Sequence, residues 1–170
     1  MDSLPPIPHA DPDLIALDFV PFFRVYKDGR FDKFIKAPFV PPADSDDPQS
    51  TGGVRSKDVI ISSETQVCAR LYLPATVKPD EKLPVLIYIH GGAFVIGSAF
   101  GVVYHSYITS VVAEANVVAV SVEYRLAPEH PIPTCFDDSW AVTKWVDSHA
   151  NRKGPEPWLN NHADFSRVFL

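Results

Sequence analysis

Basic charge is scarce in this chain. Its 15 lysines and arginines stand against 21 aspartates and glutamates, a formal net charge of −6 over 170 residues. Nucleic acid and anionic membranes both recruit basic surface, so neither is an expected partner. No apolar run approaches the length needed to span a bilayer. The opening Met-Asp-Ser-Leu-Pro-Pro has neither a basic nor an apolar signal region, so no secretory leader is expected. Only two cysteines occur, Cys68 and Cys135, and they lie far apart. They read as buried, reduced thiols of a cytoplasmic protein rather than a disulfide or a metal site. No Cys/His cluster has zinc spacing. Gly91, Gly92 and Gly97 do not form Gly-x-Gly-x-x-Gly, and no Gly-Lys-Ser/Thr is present, which leaves no dinucleotide or P-loop fingerprint. Neither a metal nor a cofactor is therefore expected. Internal repeats, heptads and low-complexity tracts are also missing.

What remains suits one globular core, with 46% apolar and 21% charged residues. The first 56 residues differ from the rest. Nine of the 17 prolines precede residue 50, which leaves little room there for regular structure. Asp11-Pro12-Asp13 predicts a short helix through Asp18, with Pro12 at its first position. Phe22–Tyr26 and Phe31–Ile35 read as strands of a hairpin turning at Asp28-Gly29. Pro41–Gly53 reads as an exposed linker. The apolar residues Leu14, Ile15, Leu17, Phe19, Val20, Phe22 and Phe23 need something to cover. Residues 1–56 are therefore expected to be a lid or cap arm with its linker, and 57–170 the core.

The core pattern is regular. Lys57–Ser62 and Val67–Leu73 predict consecutive strands, the second alternating with Val67, Ala69, Leu71 and Leu73 on one side. Val85–Ile89, bounded by Pro84 and by Gly91-Gly92, reads as a strand buried on both faces. A helix from about Val103 to Ala115, closed at Asn116, leads to another buried strand, Val117–Val122. After a proline-rich loop, Thr134 is placed as the cap of a helix with Asp137 in the capping-box position. Its buried stripe is Cys135, Val142, Trp145, Val146 and His149. Arg167–Leu170 begins a further strand, expected to leave an apolar sheet edge and a poorly soluble fragment. Strands alternating with helices make the fold class α/β, with a mainly parallel sheet and flanking helices.

His90-Gly91-Gly92 is where chemistry enters. A glycine pair after a buried strand lets the chain turn sharply and lets peptide N–H groups approach a ligand. Two such groups aimed at one point would stabilise the oxyanion of an acyl-transfer intermediate. A tight turn beside a hydrogen-bonded structural histidine is the plainer alternative.

His90-Gly91-Gly92-Ala93-Phe94, followed about 30 residues later by Tyr124-Arg125-Leu126-Ala127-Pro128-Glu129-His130-Pro131, resembles the hormone-sensitive-lipase-like branch of the α/β-hydrolase family. With Phe23–Arg30 and Gly53–Val59, the chain is similar to plant carboxylesterases, relatives of the gibberellin receptor. The resemblance implies the N-terminal portion of an α/β-hydrolase that cleaves small carboxylic esters through a serine acyl-enzyme. It places the oxyanion hole at the Gly91 and Gly92 amides, with His90 structural beneath them. It makes Tyr124–Pro133 scaffolding, in which Arg125 and Glu129 pair with each other or with nearby backbone. The Gly-x-Ser-x-Gly elbow, the acid and the histidine of the family are absent. Gly97-Ser98-Ala99-Phe100-Gly101 imitates the elbow, but its serine directly follows the first glycine. Asp137, Asp138 and Asp164 are acids by type alone, and His105, His130, His149 and His162 read as surface or helix residues. The fragment itself is expected to be inactive. A non-hydrolytic ligand binder resembling the gibberellin receptor, or a dehydratase of the same fold, is the alternative for the lineage.

Overall fold

The protein is described from a computed structural model that covers residues 7–44 and 52–170. Two compact units divide at Ala37 and Pro38. Residues 38–44 and 52–56 cluster with the larger unit. Most of the expected linker, residues 45–51, lies outside the described residues.

The smaller unit is a three-stranded antiparallel sheet. Asp11 caps a 3-10 turn, Pro12–Leu14, by accepting from the Asp13 amide at 3.0 Å. The helix expected through Asp18 stops there: β1 (Ile15–Phe19) is a strand, paired with β2 (Phe23–Tyr26), which pairs with β3 (Phe31–Lys33). One turn satisfies the Asp-Pro-Asp start signal, and the aromatic residues that follow gain more from cross-strand contact than from a helix. Phe19 packs on Phe22 and Phe23, and Phe23 stacks on Phe31 at 5.3 Å. The turn between β2 and β3 takes Gly29 at φ +86°, the conformation for which the Asp-Gly pair was selected. Leu14, Leu17 and Phe19 each remain about half exposed.

The larger unit holds β4 (Val54–Ser62), β5 (Val67–Pro74), β6 (Leu83–Ile89), α1 (Val102–Ala115), β7 (Val118–Glu123), α2 (Thr134–Asp147), α3 (Pro157–His162) and β8 (Ala163–Phe169). The sheet order is β4-β5-β7-β6-β8. Both β4 and β7 run antiparallel to β5, and β6 runs parallel to β7 and β8. Four of the five strands therefore point the same way, and β5 alone is reversed. The sheet is mixed but mostly parallel, as the alternating pattern implies.

Strand alternation sorts the side chains onto two unlike faces. Val67, Ala69, Leu71, Leu73, Leu83, Val85, Ile87, Val118, Val120 and Val122 meet Cys135, Val142 and Val146 of α2 and Leu159 of α3. This is the main core, and each fully buried aliphatic side chain in it contributes about 1.5–3 kcal/mol. The opposite face packs Tyr72 and Ala119 against Ile108 and Val112 of α1. On that face Leu86 and Tyr88 are only half buried, so β6 is sealed on one side and partly open on the other.

Asn116 ends α1 at φ +51°, the left-handed closure its side chain tolerates. Thr134 is not the cap of α2: Pro133 occupies that position and no side chain caps the helix. Proline's fixed φ starts the helix without a hydroxyl, so Thr134 is already inside it. β8 is longer than expected and bulged. Pro84 faces Asp164 while Val85 faces Val168, a register break where Pro84 has no amide to offer. Val168, Phe169 and Leu170 on this edge strand are exposed.

We predict that Leu71→Ala, at a site with no exposure, lowers the unfolding free energy by about 2–5 kcal/mol. Ile60→Ala, 70% exposed on β4, should change it by less than about 0.5 kcal/mol. Urea titrations of both variants check the assignment of faces.

Candidate functional site

Ile89 ends β6, and Glu123 ends the parallel neighbour β7. Both strands thus deliver their next residues to the carboxyl edge of the sheet, where α/β proteins place ligands. His90 enters this edge 3% exposed. Its ring stacks on Tyr124 with centroids 4.2 Å apart and planes within 15°. The His90 Nδ1 lies 2.8 Å from the Gly91 carbonyl, which can only accept, so that nitrogen carries the proton. Burial pushes the imidazole pKa down, against a smaller upward pull from the Gly91 carbonyl. A neutral ring with a fixed tautomer results. Its Nε2 is buried without a hydrogen-bond partner among the described residues.

The chain then turns through Gly92 at φ +123°, Ala93 at +53° and Phe94 at +63°, and again at Gly97 at +103°. The Gly92 carbonyl accepts from both the Val95 and Ile96 amides at 3.0 Å. None of the loop and turn hydrogen bonds between backbone groups among the described residues uses the Gly91 or Gly92 amide as donor. The two glycines differ in what they permit. A Cβ on Gly92 would run into the Ile96 carbonyl, so the turn itself requires glycine there. A Cβ on Gly91 would meet only the Tyr104 hydroxyl, at an ordinary 3.4 Å. Gly97 is required in its turn, since a Cβ would sit 2.8 Å from His90 Nδ1 and 2.9 Å from the Gly91 carbonyl.

The loop is tied down from outside. Tyr124 donates its hydroxyl to the His90 carbonyl at 2.7 Å, and the Ala127 amide donates to the Phe94 carbonyl at 2.8 Å. The Ala99 amide donates to Glu123 Oε2 at 2.6 Å. Ser98 Oγ further accepts from the Phe100 amide at 3.0 Å, so the serine of the imitation elbow is a loop-forming residue. Sequence reasoning missed Glu123, Tyr104 and the part Gly97 plays under His90. Only Gly97 left a visible signal, as a glycine seven residues past the histidine.

The remaining candidates are scattered. Arg125 has a partner that the sequence did not suggest. Its Nε and Nη2 reach Asp138 at 2.9 and 2.7 Å, and its amide donates to the same carboxylate at 3.0 Å. Asp138 is 3% exposed, so a carboxylate there needs a fixed cation, and the α2 register brings it beneath the loop. Asp164 shapes the β8 bulge. It accepts from Ser166 and from Arg167 Nε at 2.6 Å, and these bonds, Ser166 first, hold its pKa down at about 2. His149 is buried, its Nδ1 2.8 Å from the Trp145 carbonyl and its Nε2 accepting from the Glu156 amide at 3.0 Å. His105 lies on α1 against Tyr72 and Arg70, His130 in the loop, and His162 3.3 Å from the Glu81 carbonyl. Asp137 stands in the first turn of α2. Cys135 is buried, whereas Cys68 is only half buried, its thiol pushed up to about 11 by desolvation.

Two apolar clefts flank the part of β6 beyond Leu86, where β8 no longer pairs with it. One, of about 380 Å³, lies between Ile87, Trp140 and Val168; the other, of about 520 Å³, lies between Tyr88, Tyr107 and Leu170. Neither takes Gly91 or Gly92 into its lining.

A family model described as alpha/beta hydrolase fold matches residues 86–170. Probable carboxylesterase 1 of Arabidopsis thaliana is 47% identical over 159 residues, covering 92% of this chain and 49% of the relative. The 2-hydroxyisoflavanone dehydratase of Glycine max is 44% identical over the same shares. The chain spans about half the length of the curated relatives it matches. Among solved structures, the hyperthermophilic esterase from the archaeon Pyrobaculum calidifontis superposes with a TM-score of 0.53 at 32% identity, over 67% of this chain and 33% of that one. A thermostable carboxylesterase cloned from a metagenomic library gives 0.53 at 31%, over 79% and 37%.

Because His90 and His105 are both held below the ordinary imidazole value of 6.5, chiefly by desolvation, the unfolded chain takes up protons first as the pH falls. Their contribution to stability is full above 6.5 and is lost as the pH drops below it. We predict that the fall in urea midpoint between pH 7.5 and 5.5 shrinks in His90→Asn, the Glu123 contribution, of opposite sign, being common to both proteins.

Proposed function

Since the chain belongs to the α/β-hydrolase fold family, we propose that it is the N-terminal half of a carboxylic ester hydrolase in which the Gly91 and Gly92 amides form the oxyanion hole. The observation that carries this reading is the asymmetry of the turn. The Gly92 carbonyl is doubly used, while neither glycine amide is spent on a backbone carbonyl among the described residues. N–H groups held rigidly and left unspent can bind the negative charge that develops on a carbonyl oxygen as a nucleophile attacks it. In this scheme neutral His90 donates to the Gly91 carbonyl and fixes the peptide that follows. Asp138 and Arg125 brace the loop beneath.

The serine nucleophile, its acid and its histidine are assigned to residues that follow Leu170. The serine would attack the ester carbonyl after giving its proton to the histidine, and the oxyanion would settle on the two amides. Expulsion of the alcohol leaves an acyl-enzyme that water then hydrolyses. The lid role expected for residues 1–56 belongs to the same proposal, as does work in the cytoplasm, where free Cys68 and Cys135 stay reduced. The dehydratase relative favours a second reading, in which the same amides hold an enolate oxygen while β-hydroxyl is lost. The receptor-like binder is left with the weaker support, since it makes no use of unspent amides in catalysis.

Two measurements test the proposal. The full-length protein should hydrolyse p-nitrophenyl acetate and be labelled by a serine-reactive phosphonate, while residues 1–170 alone do neither. Labelling without ester turnover would favour the dehydratase reading. In the full-length protein, Gly91→Ala should lower kcat by about 100-fold or more while leaving the urea midpoint nearly unchanged. Gly92→Ala should lose both activity and stability, because it strains the turn itself. Wild-type turnover in Gly91→Ala would remove the oxyanion assignment.

A further inference from the structure

We propose that Glu123 is a positioning residue that holds the oxyanion turn in its working geometry, acting through Ala99. The proposal rests on the ester-hydrolase reading above. Glu123 and Tyr124 are consecutive at the end of β7, and each holds one end of the same loop. Tyr124 grips the upstream end, by stacking on His90 and donating to its carbonyl at 2.7 Å. Glu123 grips the downstream end, accepting the Ala99 amide at 2.6 Å.

The loop between these grips needs such over-determination. It holds two non-glycine residues, Ala93 and Phe94, in the left-handed region, where a Cβ crowds the carbonyl that follows. Strained backbone of this kind persists only where the surroundings fix it. A free loop would relax and swing the Gly91 and Gly92 amides off their common point. A shift of about 1 Å in such a donor is enough to cost catalysis on the order of 100-fold.

The carboxyl is an unusual choice for a purely structural tie. Glu123 is at the sheet edge opposite Cys68 of β5, with Arg70 of β5 and Asp58 of β4 acting on it and His105 of α1 beside Arg70. Burial raises its pKa, and the Ala99 amide, the Ser98 hydroxyl and Arg70 lower it again, in that order. In its charged form it accepts from Ala99 most strongly. Protonation weakens that bond, so the grip slackens as the pH falls through a value above the ordinary 4.5.

The test uses the full-length protein with Glu123→Ala, Glu123→Gln and Glu123→Asp, p-nitrophenyl acetate as substrate, and urea midpoints throughout. Glu123→Ala is expected to lower kcat by about 10- to 100-fold, with KM changed by less than about 3-fold and phosphonate labelling slowed in step. Glu123→Gln keeps an acceptor for Ala99, so it should keep most of kcat, while Glu123→Asp, whose shorter side chain draws the carboxylate back, should fall between it and Glu123→Ala. Wild-type kcat in Glu123→Ala, or a folded Glu123→Gln that loses kcat by about 10-fold or more, overturns the proposal, and the second holds even where Glu123→Ala fails to fold. An inactive, unlabelled wild-type protein would instead overturn the ester-hydrolase reading on which it rests.

Discussion

Parallel pairing between β6 and β7, from Val85 opposite Val118 to Ile89 opposite Val122, is the constraint on which the rest of the structure depends. Parallel strands end on the same side, so this register alone brings His90 and Tyr124 face to face. A slip of one residue would exchange the faces of every side chain on β6 and carry the His90 ring away from Tyr124. The register is held by burial. Val85, Ile87, Val118, Val120 and Val122 all lie in the main core, and none could turn outward without exposing it. Hydrophobic packing under α2 and α3 thereby sets a polar geometry at the sheet edge.

The other face of the sheet does a different job. Apolar packing under α1 is small, and beside it stands Arg70, wholly buried, with Nε 2.6 Å and Nη2 2.9 Å from the Asp58 carboxylate. Its ring neighbours are Phe100 at 5.0 Å and Phe39 at 5.7 Å. Nη1 donates to the Val40 carbonyl at 2.8 Å, while the Val40 and Val102 amides donate to the Phe100 and Pro38 carbonyls. Asp58 itself is exposed on β4, so only the guanidinium side of this pair is buried. What Arg70 secures is position. Phe100 and Gly101 follow Ala99 directly, so the strap at Pro38–Val40 stitches down the chain immediately after the Glu123 grip. From His90 to Val102, each end of the loop is attached to a different part of the scaffold.

How much of this the sequence shows depends on whether the signal is local. The Val85–Ile89 run, the Asp28-Gly29 hairpin and the Asn116 helix stop are local, and all three appear where composition puts them. Three features failed for physical reasons. Pro12 and its flanking aspartates specify one turn, after which aromatic pairing makes β1 a strand. α3 is six residues long, Pro157–His162, too short for periodicity to register, and it exists because Trp158 and Leu159 are buried. Thr134 has the right chemistry for a cap, but Pro133 reaches the position first. Partners far apart in the chain are the harder loss. Arg125 finds Asp138 across thirteen residues, and Glu123 finds Ala99 across twenty-four. A glutamate closing an apolar strand looks like a solvated strand end until the fold places a loop above it.

The three glycines of the turn separate structural need from ligand need. Gly92 and Gly97 are explained within the chain, since added methyl groups would strike the Ile96 carbonyl in one case and the His90 ring in the other. Neither says anything about chemistry. Gly91 is different: it is outside the left-handed region and a Cβ there would find ordinary contact with Tyr104. Packing does not demand a glycine at that position. Under the proposed ester-hydrolase reading, a residue without a side chain at the carboxyl edge of a mostly parallel sheet leaves its backbone open to approach from outside. The physical case for a reacting carbonyl at this edge therefore rests on Gly91 more than on the motif as a whole.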